Sequence, residues 1–200
     1  MDAKLRLHMR AELKRLQKEL GTTTIYVTHD QAEAMTMADR IAVMTHDVLF
    51  QLATPEAIYK SPSTSFVAGF LGSPPMNFID CTFVEKDGNS LLDAGAFTLS
   101  VSEFADIIRQ KSSSTELKIG LRPEDIMVES TRPRTEAVEA EVYVVEPLGS
   151  KIILDLKVGQ NLLRARSPPD STLSFGDKVW LTFRKNRMHI FDTKSENAIV

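Results

Sequence analysis

Cysteine is nearly missing from this sequence: Cys81 stands alone among 200 residues. A lone thiol excludes an internal disulfide framework and fits a reducing compartment. Long apolar runs are missing as well. None approaches the roughly 20 residues of a membrane-spanning helix, so no direct membrane insertion is expected. The amino-terminal segment is charged and amphipathic and has no apolar core of the signal-peptide type. An excess of charge of one sign is also lacking. A net charge of −3 matches poorly with a nucleic-acid binder, which usually carries a basic domain or stripe. Aromatic residues make up 7% of the chain and do not alternate with basic ones, as the stacking platforms of single-strand binders do. His8, His46 and His189 show no metal-ligand spacing with Cys81 or with each other. What remains is a globular, cytoplasmic protein long enough for one large or two small cores.

The most informative stretch lies near the start. Thr23 to Val27 are five consecutive β-branched or aromatic residues, the texture of a buried strand in a parallel sheet. Asp30 follows as a helix N-cap, and Glu33, three residues later, completes a capping box. His29 therefore falls in the turn at the carboxyl end of a strand, the edge where open α/β sheets bind ligands. An imidazole there can give a hydrogen bond to a phosphate without being buried.

Around this stretch the pattern is helical at first. Leu5, Met9, Leu13, Leu16 and Leu20 form one apolar stripe, expected to face a core, of a helix over 4–20 whose other face carries Arg6, Arg10, Lys14, Arg15 and Lys18. Gly21 ends it. Gln31–Ala38 reads as a short helix, and Arg40–Met44 as a second buried strand. His46-Asp47 is a turn, and Val48–Leu52 a return strand. Thr54 caps a helix with Pro55 at its first position, and Ser63–Leu71 forms another. Beyond Gly72-Ser73-Pro74-Pro75, which reads as a linker, short alternating segments break every 8–12 residues, as in a small barrel or sandwich. Val138, Ala140, Val142 and Val144 alternate with polar neighbours. Ile152, Leu154 and Leu156 form one face opposite Ile153, Asp155 and Lys157, and Val179, Leu181 and Phe183 form another. Ser102 caps the one helical insertion, over 102–110, and Trp180 reads as barrel core or rim.

Several runs resemble the ATP-binding subunits of ABC importers. Val27-Thr28-His29-Asp30-Gln31-Ala32-Glu33-Ala34 resembles the histidine switch of ABC ATPases, and Met1-Asp2-Ala3-Lys4 resembles the end of their D-loop. Phe66–Phe78 is similar to the junction in sugar-importer ATPases. Gly120-Leu121-Arg122-Pro123-Glu124, Glu146-Pro147-Leu148-Gly149-Ser150 and Met188–Asp192 resemble segments of the TOBE regulatory domain. At His46-Asp47 the family usually has Asp-Gly. The resemblance implies an α+β chain: residues 1–72 as the C-terminal fragment of an α/β P-loop nucleotide-binding domain, then 73–200 as an all-β OB-type barrel. It implies that His29 contacts the γ-phosphate in the intact parent and that Asp2 acts across a dimer interface. Arg122, Glu124, Gly149 and Ser150 become regulatory candidates. ATP and Mg would be the parent's cofactors, and transmembrane permease subunits and a second copy its partners. The location implied is peripheral, on the inner face of the cell membrane.

Three motifs of that family are absent. There is no G-x-x-x-x-G-K-[ST] phosphate loop, no apolar strand ending in Asp-Glu, and no Leu-Ser-Gly-Gly-Gln signature. Phosphoryl transfer depends on such groups for positioning. The expectation is that this polypeptide alone neither holds ATP tightly nor hydrolyses it, and no cofactor is expected bound to it. The strand at 24–27 would also lack neighbours, leaving 1–50 poorly ordered, re-paired, or paired with a second copy. A different class of reading is a free-standing OB-type module for an oligosaccharide or oxyanion, with Gly149-Ser150-Lys151 as the start of a pocket.

Overall fold

A computed structural model of the chain describes residues 3–200. The chain divides into two compact units, Met1–Ser61 and Pro62–Val200.

The first unit opens with helix α1 (Ala3–Leu20), ended by Gly21 at φ +60°. Helix α2 (Gln31–Met37) starts at Asp30, whose Oδ1 accepts from the Ala32 and Glu33 amides. A hairpin follows, β1 (Ile41–Thr45) against β2 (Val48–Ala53). Its turn residues His46 and Asp47 both have positive φ, +45° and +63°, as a two-residue hairpin turn that follows strand twist requires. Helix α3 (Pro55–Lys60) closes the unit, with Thr54 Oγ1 accepting from the Ala57 amide.

Four expectations for this unit change. Thr23–Val27 is not a strand: the segment runs between α1 and α2 without a ladder, and Ile25 and Val27 are 90% and 85% exposed. A strand needs neighbours for its backbone groups, and the described residues supply none. The apolar stripe of α1, including Leu13, Leu16 and Leu20, is likewise exposed. The β1 strand is buried only at Ile41 and Val43, because a two-stranded hairpin has one covered face. Finally, Glu33 does not reach back to the Asp30 amide; Thr28 Oγ1 accepts from that amide instead.

The second unit begins with α4 (Ser65–Phe70), capped by Thr64 Oγ1. Its first residues are joined to the far end of the chain. The Ser65 amide donates to Glu196 O, the Ala198 amide donates to Ser63 O, and Thr64 bridges Asn197. Ten strands then form two five-stranded antiparallel sheets. One takes β3 (Asn77–Lys86), β4 (Asn89–Asp93), β5 (Thr98–Ser100), β6 (Glu116–Leu121) and, last in sequence, β12 (His189–Asp192), in the order β12-β6-β3-β4-β5. The other takes β7 (Ile126–Glu129), β8 (Val138–Pro147), β9 (Ile152–Val158), β10 (Asn161–Ser167) and β11 (Lys178–Phe183), in the order β10-β9-β8-β11-β7. The main core lies between them, with Ile79, Leu92, Leu117 and Ile119 from one sheet meeting Val142, Leu154, Leu163 and Leu181 from the other. Asn77 ties the sheets together. Its side-chain amide donates to Leu121 O and Arg164 O, and its carbonyl oxygen accepts from the Arg164 amide at 2.7 Å.

Two local expectations change here. The β9 strand is buried on both faces, with Ile153 and Asp155 covered as well as Leu154 and Leu156; Arg164 on the neighbouring strand pairs with Asp155 at 2.8 Å. Ser102 does not cap helix α5 (Ala105–Lys111). It opens a 3₁₀ turn ahead of it, and its Oγ accepts from the Ser90 amide. The 72–75 stretch is pinned down: the buried Arg122 donates to Leu71 O at 2.9 Å, and Lys151 Nζ donates to Ser73 O at 3.2 Å.

Candidate functional site

The turn at residues 26–33 is held from three directions. Asp30 stands in an extended conformation and caps α2 with Oδ1. Its other oxygen, Oδ2, receives Arg10 Nη2 from α1 at 2.6 Å. Arg10 Nε reaches Glu33 Oε1 at 3.4 Å. The second Glu33 oxygen accepts from Thr28 Oγ1 at 2.7 Å and from the Tyr26 hydroxyl at 3.1 Å. The hydrogen bond from the Thr28 hydroxyl first, and then those from Tyr26 and Arg10, hold the Glu33 carboxyl below its ordinary range, while the Tyr26 phenol is raised by its bond to that carboxylate. His29 sits between Thr28 and Asp30, in the bend, with its side chain exposed. The arrangement leaves an imidazole facing solvent on a backbone fixed at the residues before and after it. Chemically, its ring N–H is a hydrogen-bond donor offered to an incoming anion.

The other sequence candidates do not gather around it. Arg122 is 3% exposed and spends a guanidinium donor on the Leu71 carbonyl. Glu124 lies in the 3₁₀ turn Pro123–Asp125 that follows. Gly149, at φ +76°, and Ser150 form the exposed turn between β8 and β9, closed by the Leu148 amide on Lys151 O. Asp2 lies outside the described residues.

Arg10, Tyr26 and Thr28 escaped the sequence reading. Arg10 is one of five basic residues on a face that reads as solvated surface. The signal was complementary charge: a basic helix face and two carboxylates at the start of the next helix.

Among the described residues, no group of histidine, cysteine or carboxylate side chains could hold a metal ion, and no helix is long and apolar enough to cross a membrane. With no phosphate loop in the sequence either, the residues present do not by themselves fit a nucleotide with its magnesium.

The second unit matches two family models. Residues 72–126 match the MalK OB fold domain and residues 119–191 the TOBE domain. The whole chain aligns with the trehalose/maltose import ATP-binding protein MalK of Thermococcus litoralis, at 45% identity over 205 residues. The second unit carries the MalK OB fold and TOBE domains, and over its whole length the chain is similar to ATP-binding subunits of ABC importers. It is 43% identical over 215 residues to the multiple sugar-binding transport protein MsmK of Streptococcus mutans. It is 40% identical over 206 residues to the oligosaccharides import protein MsmX of Bacillus subtilis. All three alignments take in 100% of this chain and 54%, 56% and 55% of the respective relative, so the chain spans about half the length of the curated subunits it matches.

Proposed function

We propose that this chain is the switch and regulatory portion of the ATP-binding subunit of a sugar or glycerol-phosphate importer. The observation that carries the reading is the alignment at 45% identity over the full chain, across both units, with a trehalose/maltose import subunit. The exposed His29, on a backbone anchored on either side, supports it. Completed by the portion of the subunit that this chain does not match, His29 supplies a hydrogen bond to a phosphate held by that portion. Its work is orientation and electrostatics. ATP with magnesium is the cofactor of that assembly, and Asp2 acts at its dimer interface. The second unit carries regulation, with Gly149 and Ser150 on an exposed turn. Arg122 serves it from within, as a support of the Leu71-Gly72 backbone, and Glu124 serves it from the turn that follows. Transmembrane permease subunits are the partners, and the location is the cytoplasmic membrane face. Two copies associate, since the exposed extended segment at 22–28 offers backbone donors and acceptors to another strand.

The test is a chimera. The portion of the T. litoralis relative that this chain does not match is joined to this chain, and ATP turnover is measured with magnesium. The chimera turns over ATP and its His29→Ala variant falls to background, as does the unfused chain. Magnesium-dependent turnover by the unfused chain, or an unaffected His29→Ala chimera, would overturn the reading.

A further inference from the structure

His29 is exposed, so its own packing does not aim it. Its direction must come from the backbone, and the backbone is gripped on both sides by one cation. Arg10 binds Asp30, the residue after His29, at 2.6 Å. It also binds Glu33 at 3.4 Å. Through Glu33 it connects with Thr28, the residue before His29, and with Tyr26 further upstream. Thr28 Oγ1 in turn accepts from the Asp30 amide at 2.9 Å, closing a ring of hydrogen bonds around the histidine. The side chains of Arg10 and Glu33 are only 20% and 15% exposed, so solvent competes weakly for these bonds. Remove the guanidinium and two half-buried carboxylates face each other with no counter-charge. A lysine cannot replace it fully, because a single ammonium lacks the planar fork that serves two acceptors at once.

We propose that Arg10 is a positioning residue, which fixes the direction of the His29 imidazole by clamping Asp30 and Glu33 together. The proposal deepens the reading of His29 as the group that meets phosphate. Its geometry concerns α1, the turn and α2 only, all within the first unit.

Two measurements test it. The first uses this chain as it stands and compares amide hydrogen exchange in Arg10→Met, Arg10→Lys and the unchanged protein. In Arg10→Met the Asp30 amide exchanges about tenfold faster or more, as a locally opened turn does. The Ala38 amide, which donates to Ala34 O within α2, keeps its rate. Arg10→Lys falls between. The second uses the chimera described above. There Arg10→Met lowers kcat by about ten- to a hundredfold with KM for ATP unchanged, the signature of a misplaced group rather than of lost binding. An unchanged Asp30 rate overturns the proposal. So does equal acceleration at Ala38 and in the β1–β2 hairpin, which would make Arg10 a general support of the unit. An inactive chimera with a selectively loosened turn would sink the importer reading and leave the clamp standing.

Discussion

Gly120 is a tight point of the second unit. A Cβ there would lie 2.6 Å from Met76 Sδ and 2.7 Å from Phe191 Cε2. The thioether can swing aside, but the Phe191 ring is fully buried and packs against Phe78. Gly120→Ala is expected to cost about 1–3 kcal/mol, as overpacking does, read by urea unfolding followed through Trp180. At Asp192 burial alone would raise the carboxyl. Hydrogen bonds from the Ser195 and Ser113 amides and the Ser113 hydroxyl outweigh it and hold the group well below the usual carboxylate range. The native state therefore binds this proton less tightly than the unfolded chain. The stabilisation is complete above the unfolded value of about 3.9 and is lost as pH falls below it. Asp192→Asn should weaken the protein at pH 7 and flatten the acid limb of its stability curve; an unaltered limb in urea titrations from pH 7 to 3 would contradict this. Cys81 behaves oppositely. Burial first, and then the nearby Asp80, push its thiol up to about 12, and its Sγ lies 3.5 Å from Leu117 O. Its reaction with a disulfide reagent at pH 8 should follow the unfolding rate and accelerate with urea.

Elements differ in how far their residues announce them. The helices of the first unit were legible because caps and stripes are local: Thr54 and Pro55 start α3, and Asp30 starts α2. The alternating Val138–Val144 run was legible for a similar reason, since one of its faces is covered. Thr23–Val27 misled because β-branched texture states a preference, while a strand exists only with partners. The double burial of β9 was hidden because Asp155 looks like a surface residue until Arg164 is placed beside it. The Arg10 clamp was hidden for the same reason, as its acceptors lie 20 and 23 positions away. The β1–β2 turn gives a prediction at this scale. Asp47 holds a left-handed backbone that glycine adopts without steric cost. Asp47→Gly should stabilise the hairpin by about 0.5 kcal/mol, seen as slower exchange of the ladder amides of Thr45 and Val48.

At the scale of the whole chain the two units are unequal. Among the described residues the first unit buries only Ile41, Val43 and Ile58 as apolar core, while the second fills the space between two sheets. So small a core supports little stability of its own. Urea should therefore remove the helical signal of α1 and α2 at lower concentration than it releases Trp180, the only tryptophan and a residue of β11. Coincident midpoints in circular dichroism and tryptophan fluorescence would show that the two units unfold as one.

The backbone bonds that join Ser63, Thr64 and Ser65 to Glu196, Asn197 and Ala198 make the second unit nearly a closed ring. Where its ends already meet, the place at which the polypeptide starts is a convention of synthesis and not a requirement of the architecture. A short splice could weld Val200 to Pro62, and a new opening could be cut at the exposed Asp87-Gly88 corner. Such a rearranged gene should still yield the same pair of sheets.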